Sequence, residues 1–419
     1  MRAAAVFVLL CGLAGLAPAE TYHGVAVAPD GQRAWVATIE TTAVYHTTDF
    51  GVTWAPQNIP TVRDFFDIEF IDAQTGWTCG RIADIWHTSD GGENWIRQNL
   101  GGPKFATRIR FIDANYGWAA GGEAILVRTA DGGGEWQMDF FPNPPFPGDT
   151  VDFQGLALVD SITGYLVAGR FPEGDTFARG QGFICRHTAG GSTELLRRDT
   201  EYDFYDVAIA GAQNIWVVGG NDQTMRGVVL HSTDAGATWA EQPLPVTARF
   251  LRGVAFAGPS KGWACGRNGT IVHTSDGGQT WVQQATGVDT TLFDIEFADE
   301  LRGMVAGNSV VLYTTDGGAT WLRGFGGVQE MPAAAPRAAL KVERNPAAGS
   351  VRFLSDGGAP REEVRIFDAT GNAVAVVSGG AGVWDGRMTS GRRAATGLYF
   401  AESGRGAAVQ AVRFVLVAQ

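Results

Sequence analysis

From residue 22 onward the apolar positions fall in short runs separated by turn-forming polar ones. Within residues 65–95 the order is FFDIEFI (65–71), a polar turn at 72–75, and a second run GWTCG (76–80). A short loop and a third run (85–87) follow, and after a Gly-rich turn Trp95 opens a fourth. Each run has the length and flanking turn residues of a β-strand. The same order returns as RIRFID…YGWAAG…ILVRT and as DIEFADELRGMVAG…VVLYTT. Four short strands in about 42 residues is the period of a propeller blade, not of a helical solenoid.

The turn before each fourth strand carries the clearest repeat. TTDFGVTW (47–54), TSDGGENW (88–95), TADGGGEW (129–136), STDAGATW (232–239), TSDGGQTW (274–281) and TTDGGATW (314–321) share a hydroxyl residue, an Asp, a Gly and a closing Trp at fixed spacing. A decayed copy, TAGGSTEL (188–195), has lost the Asp and the Trp. The Asp accepts backbone N–H groups of its own turn, and the hydroxyl closes a second local bond. Gly permits the positive φ of a tight hairpin, and Trp anchors the turn to the blade core. Asp49, Asp90, Asp131, Asp234, Asp276 and Asp316 are therefore read as structural. Residues 22–324 divide into seven such units, which predicts an all-β fold with a seven-bladed β-propeller.

This run of repeats resembles the Asp-box (sialidase, or BNR-type) propellers. More closely, it is similar to the photosystem II assembly and stability factors of cyanobacteria and chloroplasts. That resemblance implies a non-enzymatic seven-bladed propeller that helps install newly made reaction-centre protein, with an arginine-rich binding face. It names no individual residue, because the loops align only loosely.

The two ends read differently. Arg2, the apolar run Ala3–Leu16 and the small-residue Ala17-Pro18-Ala19 form a secretory signal cleaved before Glu20. Cys11 follows Leu10, where a lipoprotein signal needs a small residue. The domains expected are a signal peptide (1–19), the propeller (20–324), a Gly/Ala/Pro linker (325–337) and a small β-sandwich (338–419). In the last, LKVERN, SVRFLSD, EVRIFDATGNAVAVVS, GLYFAES and AVRFVLV alternate as strands do. Asn345-Pro346, DATGNAV (368–374), WDGR (384–387) and TGLYF (396–400) resemble the immunoglobulin-like C-terminal domains of type IX secretion cargo and of flagellar hook-capping proteins. Arg344 stands where the sorting pattern has an aromatic residue before the Pro. The resemblance implies sorting or anchoring at the cell surface or outside the cell, with the periplasm as the other compartment. No segment after the signal is apolar enough to cross a membrane.

Composition narrows the partners. The chain carries 58 Gly and 13 Trp, which suits short strands and tight turns, and a net charge of −12. That charge argues against nucleic acid. Cys79, Cys185 and Cys265 are expected as buried thiols. His46, His87, His187, His231 and His273 each precede an Asp box, so a ring would hold them apart. No metal and no cofactor is expected.

Loops between second and third strands, and those entering first strands, share the end opposite the Asp boxes. Arg63, Arg81, Arg108, Arg170, Arg179, Arg226, Arg249 and Arg267 are expected on them, beside an insertion bearing Phe177 and another bearing Phe140 and Phe146. Arg81, Arg108, Arg170, Arg226, Arg249, Arg267 and Phe177 are the candidate binding residues. The alternative is that each Arg pairs with a nearby acid such as Asp64 or Asp175. Function is read as a non-enzymatic scaffold that binds a protein or glycan through this face. A photosystem II assembly-type factor is the second reading. A sialidase-like glycoside hydrolase is the third, with Glu173 and Asp175 as its carboxylates, although no FRIP-like element and no second propeller is present.

Overall fold

The computed structural model describes residues 21–39, 43–59, 64–81, 84–99, 105–139, 152–169, 182–221 and 223–324, and in the C-terminal part 341–342, 347–348, 350–354, 364–368, 373–377, 383–403 and 410–417. The expected signal (1–19) and linker (325–337) and the insertions at 140–151 and 170–181 lie outside the described residues. Two compact units divide the chain, Met1–Gln329 and Glu330–Gln419.

The first unit is a closed ring of seven four-stranded antiparallel sheets, each paired in chain order. Their first strands are Thr21–Val27, Phe65–Phe70, Ala106–Phe111, Phe153–Leu158, Asp203–Ile209, Leu251–Phe256 and Leu292–Phe297. Each lies against the first strand of the next blade, and the seventh returns to the first. These seven strands therefore wall a central channel. Blades 1 and 7 share no sheet. Carboxylates join them instead: Asp294 Oδ2 accepts the Val25 N–H at 3.0 Å and Glu296 Oε2 accepts the Val27 N–H at 2.9 Å.

The Asp boxes hold as the motif predicts. In blade 2 the Thr88 hydroxyl donates to Asp90 Oδ1 at 2.8 Å and accepts the Gly92 N–H at 2.8 Å. Asp90 Oδ1 also accepts the Asn94 N–H at 2.9 Å. Gly92 sits at φ +91°, where a side chain is strained. The boxes also lock neighbouring blades together, a role beyond the turn itself. Trp77, in the second strand of blade 2, donates its Nε1–H to the Gly132 carbonyl in the box of blade 3 at 3.0 Å. Trp35, Trp216 and Trp263 do the same to Gly91, Gly277 and Gly317. Each indole also stacks on a Phe of the next blade; for Trp77 and Phe111 the ring centroids are 3.5 Å apart. The histidine paired with each of these tryptophans on the third strand of its own blade packs on the indole as well, as His87 does on Trp77 at 4.9 Å. Their structural role is thus direct. Blade 4, whose box has decayed, replaces the Asp-box turn with an eight-residue fourth strand, Ser192–Asp199. Cys79, Cys185 and Cys265 are buried free thiols, and burial pushes Cys185 up to about 12.

In the second unit the described strands form a three-stranded and a five-stranded sheet. Val351, Phe353, Val364, Ile366, Trp384 and Tyr399 contribute to one buried cluster drawn from both.

Candidate functional site

Arg81 follows the second strand of blade 2, exposed, with its Nε 2.8 Å from Asp64 Oδ2. Arg226 opens the third strand of blade 5 and pairs with Glu241 at 3.0 Å. Its backbone bridges to that of exposed Arg249, which precedes the first strand of blade 6. Arg267 follows the second strand of blade 6; its guanidinium lies over the Phe250 ring at 5.0 Å and its Nη1 reaches Met225 Sδ at 3.3 Å. Chain direction in the antiparallel blades puts all four at the end opposite the Asp boxes. Two of them are thus paired with acids, and Asp64 is one of the partners expected from the sequence. Arg63, Arg170, Arg179, Phe140, Phe146, Phe177, Glu173 and Asp175 lie outside the described residues.

Arg108 is corrected. It is not a loop residue but lies in the first strand of blade 3, only 5% exposed. The alternation of a strand, which points every second side chain into the channel, puts it on the axis.

At the same end, the channel mouth is ringed by aromatic groups that sequence reading missed. The His23 ring stacks on Phe293 at 5.1 Å and meets Phe66 edge-on at 5.7 Å. Arg252 lies over Tyr205 at 4.7 Å and over Phe293 at 5.6 Å, and Tyr205 meets Phe250 at 5.1 Å. Such cation–π contacts hold a guanidinium flat against the rings. His23 Nδ1 stands 2.7 Å from the Phe66 carbonyl, to which it donates. Burial, and then Arg108, push His23 down to about 4, so the imidazole is neutral at pH 7. His23, Phe66, Tyr205, Arg252 and Phe293 occupy one register of successive first strands. That shared register was the available signal, hidden because each strand alone reads as apolar.

The next tier inward reads Gly24, Asp67, Arg108, Gly155, Asp206, Gly253, Asp294 around the ring. Packing explains the alternation. A Cβ on Gly155 would stand 2.7 Å from the Asp206 Cα, and one on Gly24 would stand 2.8 Å from the Asp67 Cα. Each Asp reaches forward to the following blade. Asp67 Oδ2 accepts the Ile109 N–H at 2.9 Å, and Asp206 Oδ2 accepts the Val254 N–H at 3.0 Å. Alternation cannot close on an odd number of blades, so one position must break it. Arg108 stands at that break, and its charge offsets part of that of the three aspartates.

One tier further toward the Asp boxes stand Glu69, Arg110 and Glu296. Arg110 bonds Asp67 at 2.7 Å and approaches Glu69 at 3.5 Å. Burial pushes Glu69 up to about 7 against the pull of Arg110, and lifts Asp206 to about 6 against that of Arg108. Among the described residues no three His, Cys, Asp or Glu side chains are placed to hold a metal ion.

A closed ring of seven four-stranded blades whose turns are Asp boxes defines a β-propeller of the Asp-box class. The chain belongs to the family described as photosynthesis system II assembly factor YCF48, which matches residues 46–161 and 237–412. It is 30% identical over 106 residues to the photosystem II assembly protein Ycf48 of Synechococcus sp. (strain JA-3-3Ab). That match takes in 23% of this chain and 30% of the relative, so the chain spans under a third of that protein's length. Two solved structures share the fold. YCF48 from Cyanidioschyzon merolae superposes with a TM-score of 0.57 at 19% identity, over 71% of this chain and 96% of that one. YCF48 bound to D1 peptide superposes at 0.54 with 19% identity, over 71% of this chain and 94% of that one.

Proposed function

We propose that the chain is an exported, non-catalytic scaffold that holds an extended protein segment against the arginine–aromatic mouth of its propeller. The observation that carries this reading is Arg252 seated on Tyr205 and Phe293, with Arg267 on Phe250 beside it. Guanidinium groups on rigid rings are pre-organised to take carboxylates or backbone carbonyls, while the rings take apolar side chains. A protein segment is favoured over a glycan because a relative of the same fold is described as bound to a D1 peptide. Family membership favours photosystem II assembly as the process. The second unit is read as an immunoglobulin-like sandwich for sorting or surface attachment, and residues 1–19 as the export signal.

Binding of a fluorescent D1 peptide, and of an acidic peptide of unrelated sequence, tests the site. Arg252→Gln combined with Arg267→Gln should weaken capture by about a hundredfold or more, since each hydrogen bond to a charged group contributes roughly 1.5–3 kcal/mol. Wild-type association should slow as salt rises. A D1 peptide bound far more tightly than the unrelated acidic one supports the photosystem reading; equal binding of both supports a general acidic-segment scaffold. Unchanged binding in the double variant would remove the mouth from the function altogether.

A further inference from the structure

The half of the channel toward the Asp-box end forms an open pocket of about 390 Å³ that the arginine–aromatic mouth does not use. Glu69, Asp206, Asp294, Glu296 and Arg110 all contribute to its wall. Arg110 is already committed to Asp67 and Glu69. Asp206 is 3% exposed, and while its Oδ2 accepts a neighbouring backbone N–H, its Oδ1 has no partner. A carboxylate oxygen buried without a donor is costly, so its presence calls for one. Charge points the same way. Five channel carboxylates, with Asp67 as the fifth, face three guanidiniums (Arg108, Arg110 and Arg252) and the His23 imidazole, which leaves two negative charges in excess when all the acids are ionised.

We propose that this axial cavity is a binding site for an organic cation, a primary ammonium or guanidinium group carried on a short aliphatic stem. The volume falls at the small end of the roughly 300–1,000 Å³ range of ligand pockets. It holds about a dozen waters at roughly 30 Å³ each. The carboxylates are spread over blades 2, 5 and 7 rather than gathered round one point, and among the described residues no three His, Cys, Asp or Glu side chains are placed to hold a metal ion. That spacing suits N–H donors splayed from an ammonium or guanidinium better than a compact metal ion. The wall also supplies apolar surface for the stem, from Leu156, Ala157 and Val254. The cation comes either free, as a small polyamine, or as a Lys or Arg side chain presented by a partner protein. Burial lifts Glu69 to about 7 and Asp206 to about 6, and raises Asp294 and Glu296 as well, so cation binding releases protons and strengthens as pH rises.

The test is calorimetric titration of the full chain with agmatine, with a pentapeptide carrying one Lys among glycines, and with calcium, at about pH 5.5 and about pH 8. Agmatine or the peptide should bind, several-fold more tightly at the higher pH. Agmatine binding with the peptide excluded assigns a free cation; peptide binding at least as tight assigns a partner's side chain. Glu69→Gln, whose carboxylate accepts no backbone N–H in the described network, should weaken either ligand by about tenfold. Asp206→Asn keeps an acceptor for the Val254 N–H and should do the same. No binding of either organic cation, preference for calcium, or equal binding by wild type and both variants overturns the site. Each of these results is independent of peptide binding at the other end of the channel.

Discussion

At the scale of single residues, the channel sets the protein's response to pH. A carboxyl lifted by burial from its ordinary 4.5 to about 7, as Glu69 is, binds its proton more tightly in the folded chain than in the unfolded one. Between those two values the folded state holds the extra proton, so stability falls as pH rises through the window and stays low above it. For Glu69 the loss is on the order of 3–4 kcal/mol. Asp206, raised to about 6, acts in the same direction over a lower window. The Asp-box carboxylates work oppositely, but their window lies below. Hydrogen bonds from Thr280 and Thr274 hold Asp276 down to about 2, so its contribution is lost only in strong acid. Glu69→Gln should therefore flatten the fall in the urea midpoint between pH 5 and pH 8. An unchanged slope would show that Glu69 is not the titrating group. Little of this tier was legible in the sequence. Asp67, Asp206 and Asp294 each sit inside an apolar run and read as ordinary strand residues. Their meaning comes from the two flanking blades, where a Gly of the preceding blade makes room and an N–H of the following one waits, 42 residues away for Asp67, 48 for Asp206 and 269 for Asp294.

At the scale of the element, the Asp box was legible because its bonds are local. Thr274, Asp276, Gly278 and Thr280 satisfy one another within seven residues, so a fixed motif encodes a fixed turn. What the motif does not encode is the partner of its outward carbonyl. The Gly317 carbonyl accepts from Trp263 at 3.0 Å and from Gln284 at 3.0 Å, both on the preceding blade. The box is therefore a joint as well as a turn, and the two roles can be separated. Trp263→Ala removes a fully buried indole that stacks on Phe297 at 3.6 Å, and should cost about 3–5 kcal/mol in chemical denaturation. Asp276→Ala acts on a half-buried carboxylate that bonds within its own turn, and should lower the melting temperature by less. Peptide binding should survive in the Asp276 variant, because its turn lies at the far end of the channel. A larger loss from Asp276 than from Trp263 would mean that the turn, not the joint, holds the ring.

At the scale of the whole molecule, the question is what closes the ring. Propellers commonly overlap their ends by completing one blade from both termini. Here blade 1 takes all four strands from residues 21–58 and blade 7 all four from residues 292–323. Closure rests on side chains and packing. Asp294 and Glu296 accept N–H groups of blade 1, Thr21 and Asn308 form an isolated bridge, and Met304 packs with Tyr22 and Trp54. Gly324 ends blade 7, its N–H bonded to the Val311 carbonyl of the same blade at 2.8 Å. Every described strand of the ring therefore ends before residue 325, and the second unit has its own buried cluster. A chain ended after Gly324 should fold to a cooperative propeller whose melting temperature stays within a few degrees of the corresponding transition in the full chain. It should bind peptide as the full chain does and lose whatever attachment the second unit provides. Calorimetry of the two chains side by side decides the matter. A truncated chain without a cooperative transition would show that the carboxylate seam between blades 7 and 1 does not close the ring alone.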